Sequence, residues 1–344
     1  MPTSFIDKLK RSAPAGRLLA AKVRLHSQRA LPLIRQVRAN SHAPSQGISC
    51  ICVVRDEALR LPDFLRHYRQ LGISRFIFLD NGSIDHTRDL ILDQHDSDLY
   101  ATDASFKDSR FGVLWANALI QRLLPGQWVL YADADEQLVY DGCENHGLDR
   151  LIRHLEHAGR RSLPCMMLDM YGDGAIRDLV PAPSDRLFDL CPLYDGDGYS
   201  VAAPETARWV QPRIVHHEGG PRQRLFSTPA KGFRSDIAKT PLARWDADVV
   251  QIYSHALYPF TLNFGTPTGC LAHFKLLGDF HERAVRAKVL NNHYAGSAEY
   301  RLYLERLEIE PNLSAAYEAS RQYLTSGSLV ESGLMSGIDW NASD

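Results

Sequence analysis

The sequence predicts an α/β protein with a mostly parallel, Rossmann-like sheet and helices on its faces. Two observations support this prediction. From residue 48 to residue 140, short apolar runs alternate with longer segments whose apolar residues recur at helical spacing. The connections between these segments are short, which favours right-handed crossovers between parallel strands. The chain has 344 residues, enough for one large or two modest domains.

The elements are expected in the order strand, helix, strand, helix, strand, helix, strand. The expected strands are 48–54, 75–80, 99–102 and 129–131, and the expected helices are 61–72, 86–95 and 109–124. Pro62 in its first turn and Gly72 at its end mark the first helix. Further along, 163–170 resembles another strand, 181–247 carries few helix signals, and 279–308 has helical periodicity.

Polar side chains follow several of the predicted strands at the point where each strand ends. In an open α/β sheet such strand ends meet at one edge, which is where ligands bind. A nucleotide cleft needs a carboxylate for base or ribose hydroxyls and a metal near the phosphates, and these positions can supply both. The residues concerned are Arg55, Asp56 and Glu57, then Asp80 and Asn81, then Asp133, Asp135 and Glu136.

The segment WVLYADADEQLVY, residues 128–140, is the most informative. Side chains of an extended segment repeat with period 2, so Asp133 and Asp135 are expected to point the same way as one anionic prong. Hard oxygen ligands of this kind suit Mg²⁺ or Mn²⁺ bound to a diphosphate. The alternative for an isolated Asp-x-Asp is a solvated turn.

The chain resembles GT-A glycosyltransferases of the family 2-like group, in their nucleotide-sugar half. Three segments carry the resemblance, namely RDEALRLPDFLRHYRQLG, FIFLDNGSIDHT and WVLYADADEQLVY. The resemblance implies a GT-A fold, a nucleoside diphosphate sugar donor, and inverting transfer to a carbohydrate or lipid-linked acceptor. It places Asp80 near the base, Asp133 near the ribose or the metal, and Asp135 as the principal ligand of Mn²⁺ or Mg²⁺. Asp56 departs from the pattern, which commonly has Asn there.

Candidate residues for the other half of the site are more scattered. Inverting transfer needs a carboxylate base, for which Asp173 in a Gly-flanked loop is the candidate, with Asp169 and Glu218 as rivals and a plain turn aspartate as the alternative. Arg222 or Arg224 is expected to bind a diphosphate or an anionic acceptor, unless the segment is an ordinary surface loop. His273 is a candidate metal ligand with Lys275 beside the leaving diphosphate, as in a similar late His-x-Lys segment of the resembling family. A hydrogen-bonded core histidine is the alternative, and His255 is the second candidate.

The N-terminal 40 residues differ in charge from the remainder. They contain nine Lys or Arg and one acid, a net charge of +8, against −10 for the rest of the chain. Leucines among these charges predict an amphipathic helix, which either lies on an anionic membrane surface or packs on the acidic body. Nucleic acid is not expected, because the body is acidic and has no recognisable binding module.

The expected organisation is a basic arm and linker (1–47), a nucleotide-sugar half (48–140), an acceptor half (141–278), C-terminal helices (279–332) and a frayed tail (333–344). The absence of an apolar leader and of a disulfide framework predicts a cytoplasmic protein, peripheral at the membrane if the arm binds there. The expected activity is glycosyl transfer in cell-surface polysaccharide or glycolipid synthesis. The alternatives are a nucleotidyltransferase on a similar fold and a non-catalytic membrane-surface or carbohydrate-binding protein. No GxGxxG motif follows the first strand, which argues against a dinucleotide dehydrogenase. No GxxxxGK[ST] motif occurs, which argues against a P-loop kinase.

Overall fold

A computed structural model describes residues 5–40, 47–202, 216–227, 236–290 and 294–343. In these residues a central nine-stranded sheet has helices on both faces. The predicted α/β class is therefore confirmed, and the architecture is consistent with a Rossmann-like fold of the GT-A type. Most of the predicted linker, residues 41–46, lies outside the described residues.

The helices vary from one turn to seven turns in length. In the described ranges they are α1 Phe5–Ala30, α2 Leu61–Gln70, α3 Thr87–Leu92, α4 Val113–Leu123, α5 Leu148–His157, α6 Leu187–Leu190, α7 Pro221–Phe226, α8 Phe280–Leu290, α9 Tyr294–Ile309 and α10 Ser326–Glu331.

The strands of the central sheet come from almost the whole described chain. They are β1 Arg35–Arg38, β2 Ile48–Val54, β3 Ile73–Asp80, β4 Ser97–Ala101, β5 Trp128–Tyr131, β6 Glu136–Val139, β7 Ser162–Asp169, β11 Ala238–Arg244 and β14 Gly269–His273. Three small two-stranded sheets use β8 Leu193–Asp195, β9 Ser200–Ala202, β10 His216–Glu218, β12 Val250–Tyr253, β13 Ala256–Tyr258 and β15 Ser320–Gln322.

The strand order across the central sheet is β1-β4-β3-β2-β5-β11-β7-β14-β6. Strands β4, β3, β2 and β5 are parallel, as the strand and helix alternation predicts, and β7 is parallel to β14. Strands β1, β11 and β6 run antiparallel to their neighbours. Because β11 is antiparallel to both β5 and β7, the carboxyl ends of β5 and β7 open on the same edge as those of β2, β3 and β4.

The parallel strands are apolar on both faces because each face is covered by helices. In β2, Cys50, Cys52 and Val54 belong to one core, whereas Ile51 belongs to the core on the opposite face. Helices α2 and α5 cover the first face, and α1 and α4 cover the second. The polar residues at the carboxyl ends of the strands lie at the edge of the sheet, outside these two apolar cores.

Strand β11 is a correction to the expected irregular structure of residues 181–247. It lies in the middle of the sheet, between β5 and β7. Its Pro241 would argue against a central strand, since proline cannot donate to the ladder. The strand accommodates this residue at a register shift between Lys239 and Leu242 in its pairing with β7.

Both terminal segments of the described chain also pack on the body of the protein. Helix α1 packs on α4 and β12, and β1 pairs with β4, so the N-terminal segment is part of the main body rather than a separate arm. At the other end, Met335 and Ile338 are buried, and the ring of Trp340 lies 4.4 Å from that of His146. The segment expected as a tail thus contributes Met335 and Ile338 to the core under α5.

None of the described helices combines the length and the apolar composition that crossing a bilayer requires. The six cysteines are unpaired, and five of them are buried.

Helix α2 is attached to β6 through His67, and this contact makes the stability of the fold sensitive to acid. Nε2 of His67 donates a hydrogen bond to the carbonyl oxygen of Leu138 at 2.9 Å, and burial lowers the pKa of His67 to about 4. The unfolded chain protonates this residue below about pH 6.5. The stability that this neutral histidine contributes is therefore complete above that pH and is lost as the pH falls toward the folded-state pKa.

We expect this histidine to account for a loss of about 2 kcal/mol of unfolding free energy between about pH 7 and about pH 5. The variant His67→Gln keeps a side-chain donor but does not titrate, so its stability should fall less over the same range. Urea unfolding of both proteins at the two pH values measures the difference. Equal losses in the two proteins would contradict the assignment.

Candidate active site

The two aspartates of the ADADE segment lie in a turn, not in a strand. Strand β5 ends at Tyr131 and β6 begins at Glu136, whose amide donates to the carbonyl oxygen of Asp133 at 3.0 Å. The two strands are not neighbours in the sheet, so the chain must turn between them. The single prong expected from extended backbone is therefore wrong, because Asp133 and Asp135 face different partners.

Asp133 is part of a buried acid cluster with Glu136 and Lys239. The Lys239 ammonium lies 2.7 Å from both carboxylate oxygens of Glu136 and 3.0 Å from Oδ2 of Asp133. Burial raises the pKa of Glu136 to about 7, although the ammonium of Lys239 opposes the shift. The side chain of Asp133 is partly exposed, so Asp133 is the residue of the cluster that a ligand at the edge of the sheet can reach.

Asp135 belongs to a second group, in line with His273 and Asp169. Nε2 of His273 lies 3.4 Å from Oδ2 of Asp135, and its Nδ1 lies 2.5 Å from Oδ1 of Asp169. Burial alone would raise the pKa of Asp135, but the charges of His273, Arg283 and Arg60 outweigh it and hold the pKa well below its usual range. Burial alone would lower the pKa of His273, but the carboxylates of Asp135 and Asp169 raise it.

The expected base rival Asp169 is unsuited to accept a proton. Its carboxylate accepts from Nε of Arg222 at 2.8 Å as well as from His273. Burial favours the neutral acid, but these two partners hold the pKa of Asp169 far below that of a free aspartate. Asp169 therefore orients the imidazole of His273 and the guanidinium of Arg222.

Arg222 and Lys275, both expected to bind a diphosphate, lie on either side of Glu299. Nη1 of Arg222 is 3.5 Å and Nζ of Lys275 is 3.7 Å from Oε1 of Glu299. Nη2 of Arg222 is buried and has no hydrogen-bond partner among the described residues. Lys275 also lies over the ring of Tyr300, 5.2 Å from its centroid. Arg222 and Lys275 thus lie within ion-pair distance of the same carboxylate, and Nη2 of Arg222 is the donor that remains for an anionic ligand.

Helix α8 supplies Arg283 to the segment that follows β2. Arg283 makes two hydrogen bonds of 2.8 Å to the carboxylate of Glu57, and its Nη2 lies 4.0 Å from Oδ2 of Asp135. The buried guanidinium of Arg60 pairs with Asp279 at 2.7 and 2.8 Å. Glu57, expected to contact the donor, is thus already neutralised by an arginine that no sequence pattern indicated.

The loops after β2 and β3 form the remaining part of the edge. Asp80 is fully buried, accepts from the amide of Ser83 at 3.0 Å and pairs with Arg88 at 2.7 Å. Its carboxylate therefore shapes the DNGS turn. Arg55 is exposed and lines a surface cleft with Asn81, Gly82, Asp103, Ala104, Ser105 and Phe106. This cleft is the open part of the expected base-binding region.

Three further candidates, Asp173, Glu218 and His255, are not part of the line of Asp135, His273 and Asp169. Asp173 is exposed, four residues beyond the carboxyl end of β7, and its carbonyl oxygen accepts from Ser314. Glu218 ends β10 and is partly buried. Nδ1 of His255 donates a hydrogen bond to the carbonyl oxygen of Ala238, next to Lys239, at 2.9 Å.

The donor set around Asp135 fits a metal ion in part. A ligating histidine commonly has its other ring nitrogen hydrogen-bonded to a carboxylate, which is how Asp169 holds His273. Within the described ranges, however, no three His, Cys, Asp or Glu side chains form a group that would hold an ion. Asp133, the expected third ligand, is paired with Lys239. An ion at Asp135 and His273 would take its other ligands from water and phosphate, as Mg²⁺ usually does.

Lys239, Arg283 and Glu299 are the site residues that sequence analysis missed. Lys239 lies in β11, whose proline concealed the strand. Arg283 and Glu299 lie in helices read only for their apolar spacing. The many acids predicted at the sheet edge were a sign that cations must lie nearby, because each buried carboxylate requires one.

No protein family model matches the chain, and no curated protein matches it. Among solved structures, the chain is similar to one titled "Crystal structure of 4-diphosphocytidyl-2C-methyl-D-erythritol synthase". The similarity has a TM-score of 0.26 and 12% sequence identity, and covers 41% of this chain and 68% of that chain. A likeness at this level carries no conclusion about activity.

The buried cluster of Lys239 predicts a large stability effect. We expect Lys239→Met to lower the free energy of unfolding by about 3 to 5 kcal/mol, because it leaves the buried Glu136 without its cation. Adding Glu136→Gln should recover part of this loss. Denaturant unfolding of the single and double variants measures the coupling.

The exposed Lys288 of α8 provides the control. Lys288→Met should change the free energy of unfolding by no more than about 0.5 kcal/mol. If Lys239→Met were as mild as this control, Lys239 would not be the compensating charge of the cluster.

Proposed function

We propose that the protein is a metal-dependent glycosyltransferase. It moves a sugar, with inversion, from a nucleoside diphosphate donor to a hydroxyl of a carbohydrate or lipid-linked acceptor. The observation that supports it most is the approach of His273 to Asp135 at the carboxyl edge of the sheet, with Asp169 behind the imidazole. The three segments that resemble family 2-like enzymes contain or follow β2, β3 and β5, whose carboxyl ends share this edge.

The cations of the site suit a diphosphate leaving group. Lys275 and Arg222 share Glu299, and Nη2 of Arg222 is buried without a partner among the described residues. A departing diphosphate gains negative charge, so cations held in place stabilise the transition state more than the ground state. The exposed cleft at Arg55 is the place for the base and ribose of the donor.

Asp135 and His273 would hold Mn²⁺ or Mg²⁺, which as a Lewis acid would polarise the diphosphate oxygens. Asp173 is the proposed base. Its carboxylate takes the proton of the acceptor hydroxyl while the hydroxyl oxygen forms a bond to the anomeric carbon. The bond from that carbon to the diphosphate oxygen breaks, and its electron pair leaves with the diphosphate. The position of Asp173 just beyond β7 supports this role, because β7 opens on the same edge as β5.

Product analysis separates this reaction from nucleotidyl transfer. Glycosyl transfer releases an intact nucleoside diphosphate. Nucleotidyl transfer breaks the bond at the α-phosphate, so the nucleoside monophosphate unit appears in the product instead.

Binding of the donor should require metal. Thermal unfolding in a panel of nucleoside diphosphates with Mn²⁺, with Mg²⁺ and with EDTA should show a rise in Tm for one base, and only with metal. A ligand at about 100 times its Kd stabilises the folded state by about 2.7 kcal/mol. Asp135→Asn and His273→Gln should each remove the shift, since each removes a ligand.

A surface carboxylate provides the control for these variants. Asp149 is exposed on α5, so Asp149→Asn should leave the shift in Tm intact. A metal-dependent shift that survives in Asp135→Asn, or no shift with any nucleotide, would refute the proposed donor site.

Asp173→Asn should separate chemistry from donor binding. We expect kcat for transfer to fall about 10²- to 10⁴-fold, because the proton acceptor is lost. The Kd for the nucleoside diphosphate should not change, since this side chain makes no donor contact. Transfer at saturating donor and acceptor, with Asp149→Asn as the matched variant, measures the effect. An unchanged kcat would exclude Asp173 as the base and make Glu218 the next residue to test.

A further inference from the structure

Helix α1 has one face that the body of the protein covers. Ala20, Val23 and Ala30 are buried in the core shared with α4 and β12, and Ser27 is buried between them. Gly16 lies against the rings of Tyr258 and Phe260, where even a Cβ atom would come within 3.0 Å. The register of these contacts fixes which residues of α1 point away from the protein.

The opposite face exposes large apolar side chains to solvent. Exposed fractions are 74% for Leu18, 46% for Leu25, 58% for Leu33 and 41% for Val37. The first two are seven residues apart, which places them on one side of the helix. The others follow α1 directly, in the short turn before β1 and in β1 itself. Four of the exposed large hydrophobic residues of the described chain thus occur within 20 positions.

Exposed cations lie among these apolar residues. They are Arg17, Lys22, Arg29 and Arg35, and residues 8–40 contain no Asp or Glu at all. The rest of the chain carries a net charge of −10, so these cations belong to a basic segment of an otherwise acidic protein. We name the exposed residues 17, 18, 22, 25, 29, 33, 35 and 37 the N-terminal surface.

We infer that the N-terminal surface docks on an anionic lipid bilayer. Leucines surrounded by cations match the interface of such a membrane, where apolar side chains enter the acyl boundary and cations approach the phosphates. A nucleic acid would use the cations alone and would leave the leucines in water. Helix α1 need not cross the bilayer for this contact, because it lies along the surface.

The topology places one end of this surface at the carboxyl edge of the parallel strands. Arg35 of β1 is paired with Ala101, the last residue of β4. The carboxyl end of β4 is at the edge of the sheet that carries Asp80 and the ADADE turn. Docking through α1 therefore brings this edge close to the bilayer. An acceptor anchored in the same membrane would then be within reach, a consequence that rests on the proposed glycosyl transfer, whereas docking itself does not.

Vesicle flotation with the full chain tests the proposal. We expect the protein to float with vesicles of mixed phosphatidylcholine and phosphatidylglycerol, to stay behind with phosphatidylcholine alone, and to be released as salt rises. Lys22→Gln with Arg29→Gln should weaken binding roughly thirtyfold. Leu18→Ser with Leu33→Ser should weaken it roughly tenfold or more.

Matched pairs of exposed residues elsewhere provide the controls. Arg153→Gln with Arg177→Gln removes two surface cations, and Ile309→Ser with Leu324→Ser removes two exposed apolar side chains. Both pairs should bind vesicles as the unchanged protein does. Because every altered side chain is exposed, circular dichroism and Tm should show that all variants fold.

Three results would overturn the proposal. They are the absence of flotation with the anionic vesicles, equal binding to phosphatidylcholine alone, and equal losses in the N-terminal and control pairs. Donor binding measured by Tm is independent of vesicles. A failure of docking therefore leaves the proposed transferase site untouched, and a failure of donor binding leaves the membrane surface untouched.

Discussion

Charge compensation at the carboxyl edge of the sheet is the constraint on which this structure depends. Glu57, Asp135, Glu136 and Asp169 are all buried there, and an isolated buried carboxylate would be strongly destabilising. Each has a cationic partner within hydrogen-bonding or ion-pair distance. Helix α8 contributes Arg283 and strand β11 contributes Lys239 to this compensation.

The compensating pairs join distant parts of the sequence. Arg283 reaches back to Glu57, Lys239 to Glu136, and His273 to Asp135. The acids come mainly from the first half of the described chain and the cations from the second. The candidate site therefore exists only when both halves of the sheet are joined, and a substitution at either partner affects the fold and the site together.

The sequence predicts the elements that local apolar patterns determine, and it fails for those that depend on long-range strand pairing. The parallel strands and their helices were predicted because burial on both faces leaves an apolar pattern in β2, β3 and β5. The ADADE segment follows β5 as predicted, but it forms a turn and not an extended strand. The local sequence pattern gives no sign that β5 and β6 lie far apart in the sheet. Lys239 was missed because Pro241 hid a central strand. Such long-range pairings leave little local signal, and the roles assigned to Asp173 and to the metal stay predictions.

The place of β11 between β5 and β7 has a consequence for synthesis. A ribosome makes the first parallel strands and β7 well before it reaches residue 244, where β11 ends. Until then the nascent chain has a sheet of β1 to β5 whose unpaired edge at β5 can associate with another strand, while β7 has neither of its partners. Strand β14 later joins β7 to β6, but β11 is the strand that closes the edge of β5. It also carries Lys239, so the buried acid cluster receives its cation in the same step.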